Sequence, residues 1–184
     1  MPLLLIQAFV NTWDGDDGRD VLLQPEDARQ WLSEAGLIPR DEIPDPAGLR
    51  LARDVRESIR ALLTMNGGGP AAEAEALRPL HVLTGMCRLQ ASVGPDGLVE
   101  LDPAPVTPGA SGVDSGLAGA LFRLVLIIRD AQADGTWPRL KACHNPECRW
   151  AFYDRSHSRR GTWCDMAVCG NRIKNRTLRQ RQKT

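Results

Sequence analysis

The sequence predicts an α+β fold: a mostly helical N-terminal domain with an early strand and a β-hairpin, followed by a small cysteine-bearing module and a basic C-terminal helix. Three observations carry that prediction. After Pro46, the residues Leu49, Ala52, Val55, Ile59 and Leu62 recur at helical spacing. Further on, two short strand-like runs flank Gly94-Pro95-Asp96-Gly97. Finally, four of the five cysteines fall into two pairs with the same internal gap, all in the last 46 residues.

Leu3–Val10 is a short apolar run and reads as a buried strand. A polar, glycine-containing loop follows, through residue 20. Pro25 suits the first turn of a helix reaching about residue 35, with Glu26 and Asp27 at its positive end, Trp31 and Leu32 on its inner face and Gly36 as its stop. Asp45 is a cap for a longer helix that Pro46 opens and Gly67-Gly68-Gly69 ends near residue 65. A shorter helix is expected over about 71–80. Strands over 88–93 and 98–101 form a hairpin with a four-residue turn, and residues 103–112 are a proline- and glycine-rich loop. The most apolar helix covers about 117–133. Gly135-Thr136-Trp137-Pro138 then closes a domain of residues 1–138 as the hinge to a second unit, 139–184.

In that second unit Cys143 and Cys148 enclose four residues, as do Cys164 and Cys169, with fifteen residues between the pairs. Each pair can curl into a knuckle that offers two thiolates to one side. Four thiolates on one tetrahedral ion make a closed structural zinc site with no open position for chemistry. Disulfides suit small secreted scaffolds, and the only other cysteine here is Cys87, read as a core thiol. The expected ligands of one structural Zn2+ are therefore Cys143, Cys148, Cys164 and Cys169. His144 and His157 lie close in sequence, but four sulfurs already fill the site. Between the knuckles, residues 149–153 alternate as a strand, residues 161–164 are its expected partner, and the turn between them presents His157, Arg159 and Arg160. This is the outline of a treble-clef-like zinc finger with four cysteine ligands. It is too small to fold on apolar burial alone, so the metal supplies the folding energy, on the order of 10 kcal/mol.

The net charge of zero conceals a division. Residues 1–138 carry 11 Lys and Arg against 20 Asp and Glu, a net of −9, whereas residues 139–184 carry 12 against 3, a net of +9. An acidic body attached to a strongly basic element points to an anionic partner, duplex DNA first. Beyond the second knuckle, Arg172, Arg176 and Arg179 fall at i, i+4 and i+7 on one face of the expected basic helix. The candidate nucleic-acid contacts are Arg159, Arg160, Asn171, Arg172, Lys174, Asn175, Arg176, Arg179 and Arg181. Arginine forks grip phosphates or guanine edges, and asparagine can read adenine. A solvated basic tail is the plain alternative.

Residues 139–184 resemble the CGNR zinc finger family. The resemblance rests on Cys169-Gly170-Asn171-Arg172, the first knuckle, the segment Phe152-Tyr153-Asp154-Arg155-Ser156, the pair Arg159-Arg160, and Trp163 before the third cysteine. The order of elements in 1–138 resembles the ABATE domain: an early strand ending in Phe9-Val10-Asn11-Thr12, a helix with Trp-Leu, a long helix, a hairpin and a final helix. Ala8 stands where that family often has an acidic residue. The resemblance implies a bacterial, cytoplasmic transcription regulator with an α+β regulatory or ligand-sensing domain ahead of a DNA-binding finger. Asn11 and Thr12 become candidate ligand contacts, although both also suit a plain capped strand end.

No Ser-His-Asp set, phosphate loop, dinucleotide fingerprint or open metal site is present, so an enzyme is not expected. Asp14, Asp16, Asp17 and Asp20 lack the spacing of a calcium loop and read as a solvated acidic loop. The longest apolar run, 116–128, is too short to span a bilayer and is interrupted by Arg123, so no membrane partner is expected. A small-molecule effector and self-association stay open. The alternative function is a zinc-scaffolded protein-interaction module that docks its basic helix on an acidic partner, or an RNA-binding protein that stacks bases on Phe152, Tyr153 or Trp163.

Overall fold

The computed structural model describes residues 2–106 and 115–181, without the side chains of 105, 115 and 177–181. Part of the expected loop 103–112 and the side chains of Arg179 and Arg181 therefore lie outside the described residues.

The core is assembled on one long helix, α3 (Pro46–Asn66), against which α1 (Leu3–Val10), α2 (Pro25–Glu34), α4 (Ala74–Met86) and α5 (Ser115–Ala133) pack. The Asp45 carboxylate accepts the Gly48 N–H at the start of α3, and Pro46 occupies a position whose N–H has no helical partner to lose. Leu49, Ala52, Val55, Ile59 and Leu63 are buried along one face, while Leu62, expected there, is only partly buried.

Leu3–Val10 is a helix, which corrects the expected strand. The run is apolar at every position but Gln7, so its sequence shows neither a period of 2 nor one of 3.6. Burial shows the period instead: Leu3, Ile6, Phe9 and Val10 are buried, whereas Leu4 is 51% exposed. That is one face of a helix, and α3 and α5 fill it. Tertiary packing thus settled a local sequence compatible with either element.

α2 keeps its expected bounds closely, with Ala28 and Leu32 buried and the Trp31 ring 6.1 Å from that of Phe9. Gly36 ends it in the left-handed region, at φ +70°. α4 runs beyond its expected end, through Pro79, because Leu83 on its later turn is buried in the core. It leads directly into β1 (Cys87–Val93), which pairs antiparallel with β2 (Val99–Pro105) from Cys87↔Pro105 to Val93↔Val99. This hairpin starts buried at Cys87 and projects outward, so that Val93 is 71% exposed at its tip.

After α5 the chain makes a buried corner. Trp137 lies in the core, and the Asn66 amide of α3 donates to the carbonyls of Trp137 and Leu140 at 3.0 and 2.9 Å. β3 (Leu140–Ala142) and β4 (Ala151–Tyr153) follow and pair antiparallel, Leu140 with Tyr153 and Ala142 with Ala151. The expected pairing of this strand with residues 161–164 is therefore corrected. Leu140, Ala142 and Ala151 belong to the main apolar core, under α3, and that burial selects β3 as the partner. A π-helical turn (Met166–Gly170) and α6 (Asn171–Arg181) complete the described chain. No described helix is long and apolar enough to cross a membrane.

Candidate metal centre and nucleic-acid interface

The first knuckle is the connection between β3 and β4. The Cys143 N–H donates to the Trp150 carbonyl at 2.8 Å, and the N–H groups of Cys148 and Arg149 both donate to the Asn145 carbonyl at 3.0 Å. Arg149 completes the reversal at φ +53°. Asn145 is buried; its amide nitrogen lies 3.6 Å from Cys169 Sγ, and its side-chain oxygen accepts the Glu147 N–H. Asp165 organises the second knuckle: its carboxylate accepts the Val168 N–H and its carbonyl accepts those of Cys169 and Gly170. A Cβ at Gly170 would sit 2.5 Å from Met166 Sδ, a contact that the exposed Met166 side chain can relieve by turning outward. The next residue, Asn171, donates its amide to the Ala167 carbonyl at 2.9 Å.

These two turns bring the Sγ atoms of Cys143, Cys148, Cys164 and Cys169 all within 4.8 Å of one another. Cys148 and Cys164 are 3.6 Å apart, and Cys164 and Cys169 3.7 Å. A tetrahedron with metal–sulfur bonds of about 2.3 Å has edges of about 3.8 Å, whereas a disulfide is about 2.05 Å, so the spacing is that of ligands and not of bonded pairs. Trp150, Phe152 and Trp163 pack around the sulfurs. Burial pushes the Cys148 thiol up to about 12, with the charge of Cys143 adding to it. Burial likewise raises Cys164. At Cys169 burial opposes ionisation as well, but the Asn145 amide and the neighbouring sulfurs outweigh it and hold the thiol below its ordinary value. Four thiolates in so small a volume need a divalent cation to offset their repulsion. One structural zinc ion fits this donor set, and four protein ligands leave no site for a reacting water.

The joint between the cysteine module and the helical body is polar and dense. Both amide atoms of Asn11 bind the backbone of Ala151 in β4, donating to its carbonyl at 2.9 Å and accepting from its N–H at 2.7 Å. Thr12 donates to the Phe9 carbonyl and accepts from Arg56. Asn11 and Thr12, the candidate ligand contacts, are thus engaged in the fold. Arg60, fully buried on α3, donates to the Arg149 carbonyl at 2.8 Å and to the Val10 carbonyl at 2.7 Å. Its guanidinium lies 4.8 Å from the Trp13 ring centre, and that of Arg149 lies 5.5 Å from the same ring. Sequence reasoning missed Arg60. The available signal was an arginine at i+1 from the core residue Ile59 and i+4 from Arg56, on a side of the helix that also carries Arg53 and Glu57.

Family comparisons agree with this architecture. The model for the CGNR zinc finger matches residues 139–182. The ABATE model, with the description "Putative stress-induced transcription regulator", matches residues 5–134. The chain belongs to the ABATE family. No curated protein matches the chain.

Within the CGNR finger a buried ion pair shapes the loop that carries the cations. Lys141 Nζ of β3 lies 2.8 Å from Asp154 Oδ2, both side chains being almost fully buried, and also donates to the carbonyls of Arg159 and Gly161. Asp154 accepts the N–H groups of Ser156 and Gly161. Burial works against its charge, but Lys141 and these donors hold the carboxyl well below the usual carboxylate range. A Cβ at Gly161 would sit 3.0 Å from this carboxylate. The loop so held exposes Arg155, His157, Arg159 and Arg160, and none of these four side chains has an ion pair among the described residues. On α6, Lys174 and Asn175 are exposed. Two other α6 candidates are paired in cis: Arg172 lies 2.8 Å from Asp16 of the ABATE body, and Arg176 lies 3.3 Å from Glu147. Asn171 is committed to Ala167.

Proposed function

We propose that the protein is a zinc-dependent DNA-binding transcription regulator of the bacterial cytoplasm. Residues 139–184 contact duplex DNA, and residues 1–138 sense a signal or mediate association of two copies. The observation that carries this reading is the pinned loop: exposed Arg159 and Arg160 are fixed by the buried Lys141–Asp154 pair beside a closed four-cysteine site, in a segment with a net charge of +9. Arginines without an ion pair among the described residues, on a loop whose backbone is held, next to a helix bearing Arg172, Lys174, Asn175, Arg176, Arg179 and Arg181, suit phosphate positioning with some base contact. Titration of the zinc-loaded protein with duplex DNA tests this. If about six cations meet phosphate, affinity falls about a thousandfold between 50 and 200 mM salt, and absence of binding at low salt rejects the proposal. Preference for single-stranded RNA over duplex DNA in the same titration would instead favour base stacking on the finger aromatics.

One observation favours a second reading, in which the basic helix docks on an acidic protein partner. Arg172 already meets a carboxylate of the body, Asp16, in place of a phosphate. Absence of any DNA footprint, with α6 variants that still lose binding to a purified acidic partner, would support it.

A further inference from the structure

The acidic loop of the body is built to reach the finger. Asp14 accepts the Asp16 N–H at 2.9 Å, Asp17 accepts the Arg19 N–H at 2.8 Å, and the Asp14 N–H donates to the Arg19 carbonyl at 2.9 Å. These bonds give the loop one shape. Gly15 then seats it on the first knuckle, where a Cβ would collide with the carbonyls of Glu147 and Cys148. Only glycine allows that approach, and it carries Asp16 to Arg172, the first arginine of α6, at 2.8 Å. One helical turn on, Arg176 meets Glu147 of the same knuckle. Arg172 and Arg176 stand at i and i+4, so the face of α6 that they share is turned onto carboxylates of this chain. The loop arginines 159 and 160 have no such partner among the described residues.

We infer that the loop at 14–17 is an autoinhibitory cover: in the free protein Asp16 occupies Arg172, and a nucleic-acid phosphate must displace that carboxylate before α6 can engage. The inference rests on the DNA-binding reading and adds regulation to it. A carboxylate and a phosphate both offer anionic oxygens to a guanidinium, so the two compete directly for the Arg172 side chain. The loop arginines make the first contact, and the first turn of α6 joins only as Asp16 leaves. Any event that moves the acidic loop on the body therefore changes how many cations the finger offers.

The test uses the zinc-loaded full chain and random-sequence duplex DNA at about 50 mM salt. Asp16→Asn is compared with Asp17→Asn, which makes the same charge change on an exposed neighbour that has no contact with Arg172. Both are repeated in an Arg172→Ala background. An exposed pair of this kind predicts that Asp16→Asn tightens binding about two- to fivefold, with Asp17→Asn giving less than half that gain. In the Arg172→Ala background the two variants become equal. Equal gains from both variants with Arg172 present overturn the cover and leave the DNA-binding reading standing. No binding by any variant, wild type included, overturns both.

Discussion

The two knuckles share a spacing but not a means of support. Cys143 and Cys148 are 4% and 5% exposed, and their turn is continuous with β3 and β4, whose inner residues sit in the main core. The body reaches in to hold that turn, through Asn11 on Ala151 and Arg60 on the Arg149 carbonyl. Among the described residues the second knuckle has no equivalent hold from the body's buried side chains. Residues 165–168 are exposed, Met166 by 53%, and the turn meets the rest of the protein chiefly through its sulfurs, the Asn145 amide and the exposed pair between Arg172 and Asp16. Identical ligand spacing therefore hides unequal dependence on the ion. Apolar burial and backbone hydrogen bonds already shape the first knuckle, so the metal's main task is to fasten the second, and with it the direction of α6.

Removing the ion is the largest perturbation of that contrast, because a structural zinc contributes on the order of 10 kcal/mol in small metal-folded domains. Chelation is expected to abolish amide-exchange protection over residues 164–176 while α3, β3, β4 and the Gly161 N–H held by Asp154 stay protected. Loss of protection in β3 and β4 at the same time would show that the first knuckle depends on metal as much as the second. Next in size is Lys141→Met, which strands the Asp154 carboxylate in a buried site. A loss of about 3–5 kcal/mol is expected in urea denaturation, with zinc stoichiometry unchanged. Asn11→Ala leaves both backbone groups of Ala151 without their partners, and should cost about 2 kcal/mol by the same measurement. The smallest effect sharpens the other side of the comparison. Asp165→Ala removes the side-chain cap of the second knuckle and should weaken zinc affinity about fivefold, corresponding to about 1 kcal/mol, in a competition titration with a chelator.

The elements that are legible in sequence are those with strong local punctuation. Pro25 and Gly36 bracket α2, Asp45-Pro46 and the triple glycine bracket α3, and Gly94 to Gly97 mark the hairpin turn, all close to where the structure has them. α1 is not legible in this way, because a run of almost unbroken apolar residues carries no period, and only the neighbours that bury it reveal one. The partner of β4 escapes for a related reason. Residues 140–142 and 161–164 are both short and strand-compatible, and nothing local says that α3 will cover the first. Asp154 is visible as part of a family pattern, but its pairing with buried Lys141 is not, since a lysine in a short strand usually reads as exposed.

By itself, the sequence determined the donor set and the charge division. Thiolate chemistry depends on which atoms are present and how far apart the chain puts them, and both are written in the two C-x4-C pairs. Only the tertiary structure decided which side chains are spent and which are free. Arg60, Asn11 and Lys141 are absorbed into the joint and the loop, Arg172 is matched by a carboxylate 156 residues away in sequence, and Arg159 and Arg160 face solvent. A charge with no group of the opposite sign within reach is free for a partner, whereas a paired one must first be released, and that distance is a property of packing, which no reading of neighbours along the chain contains.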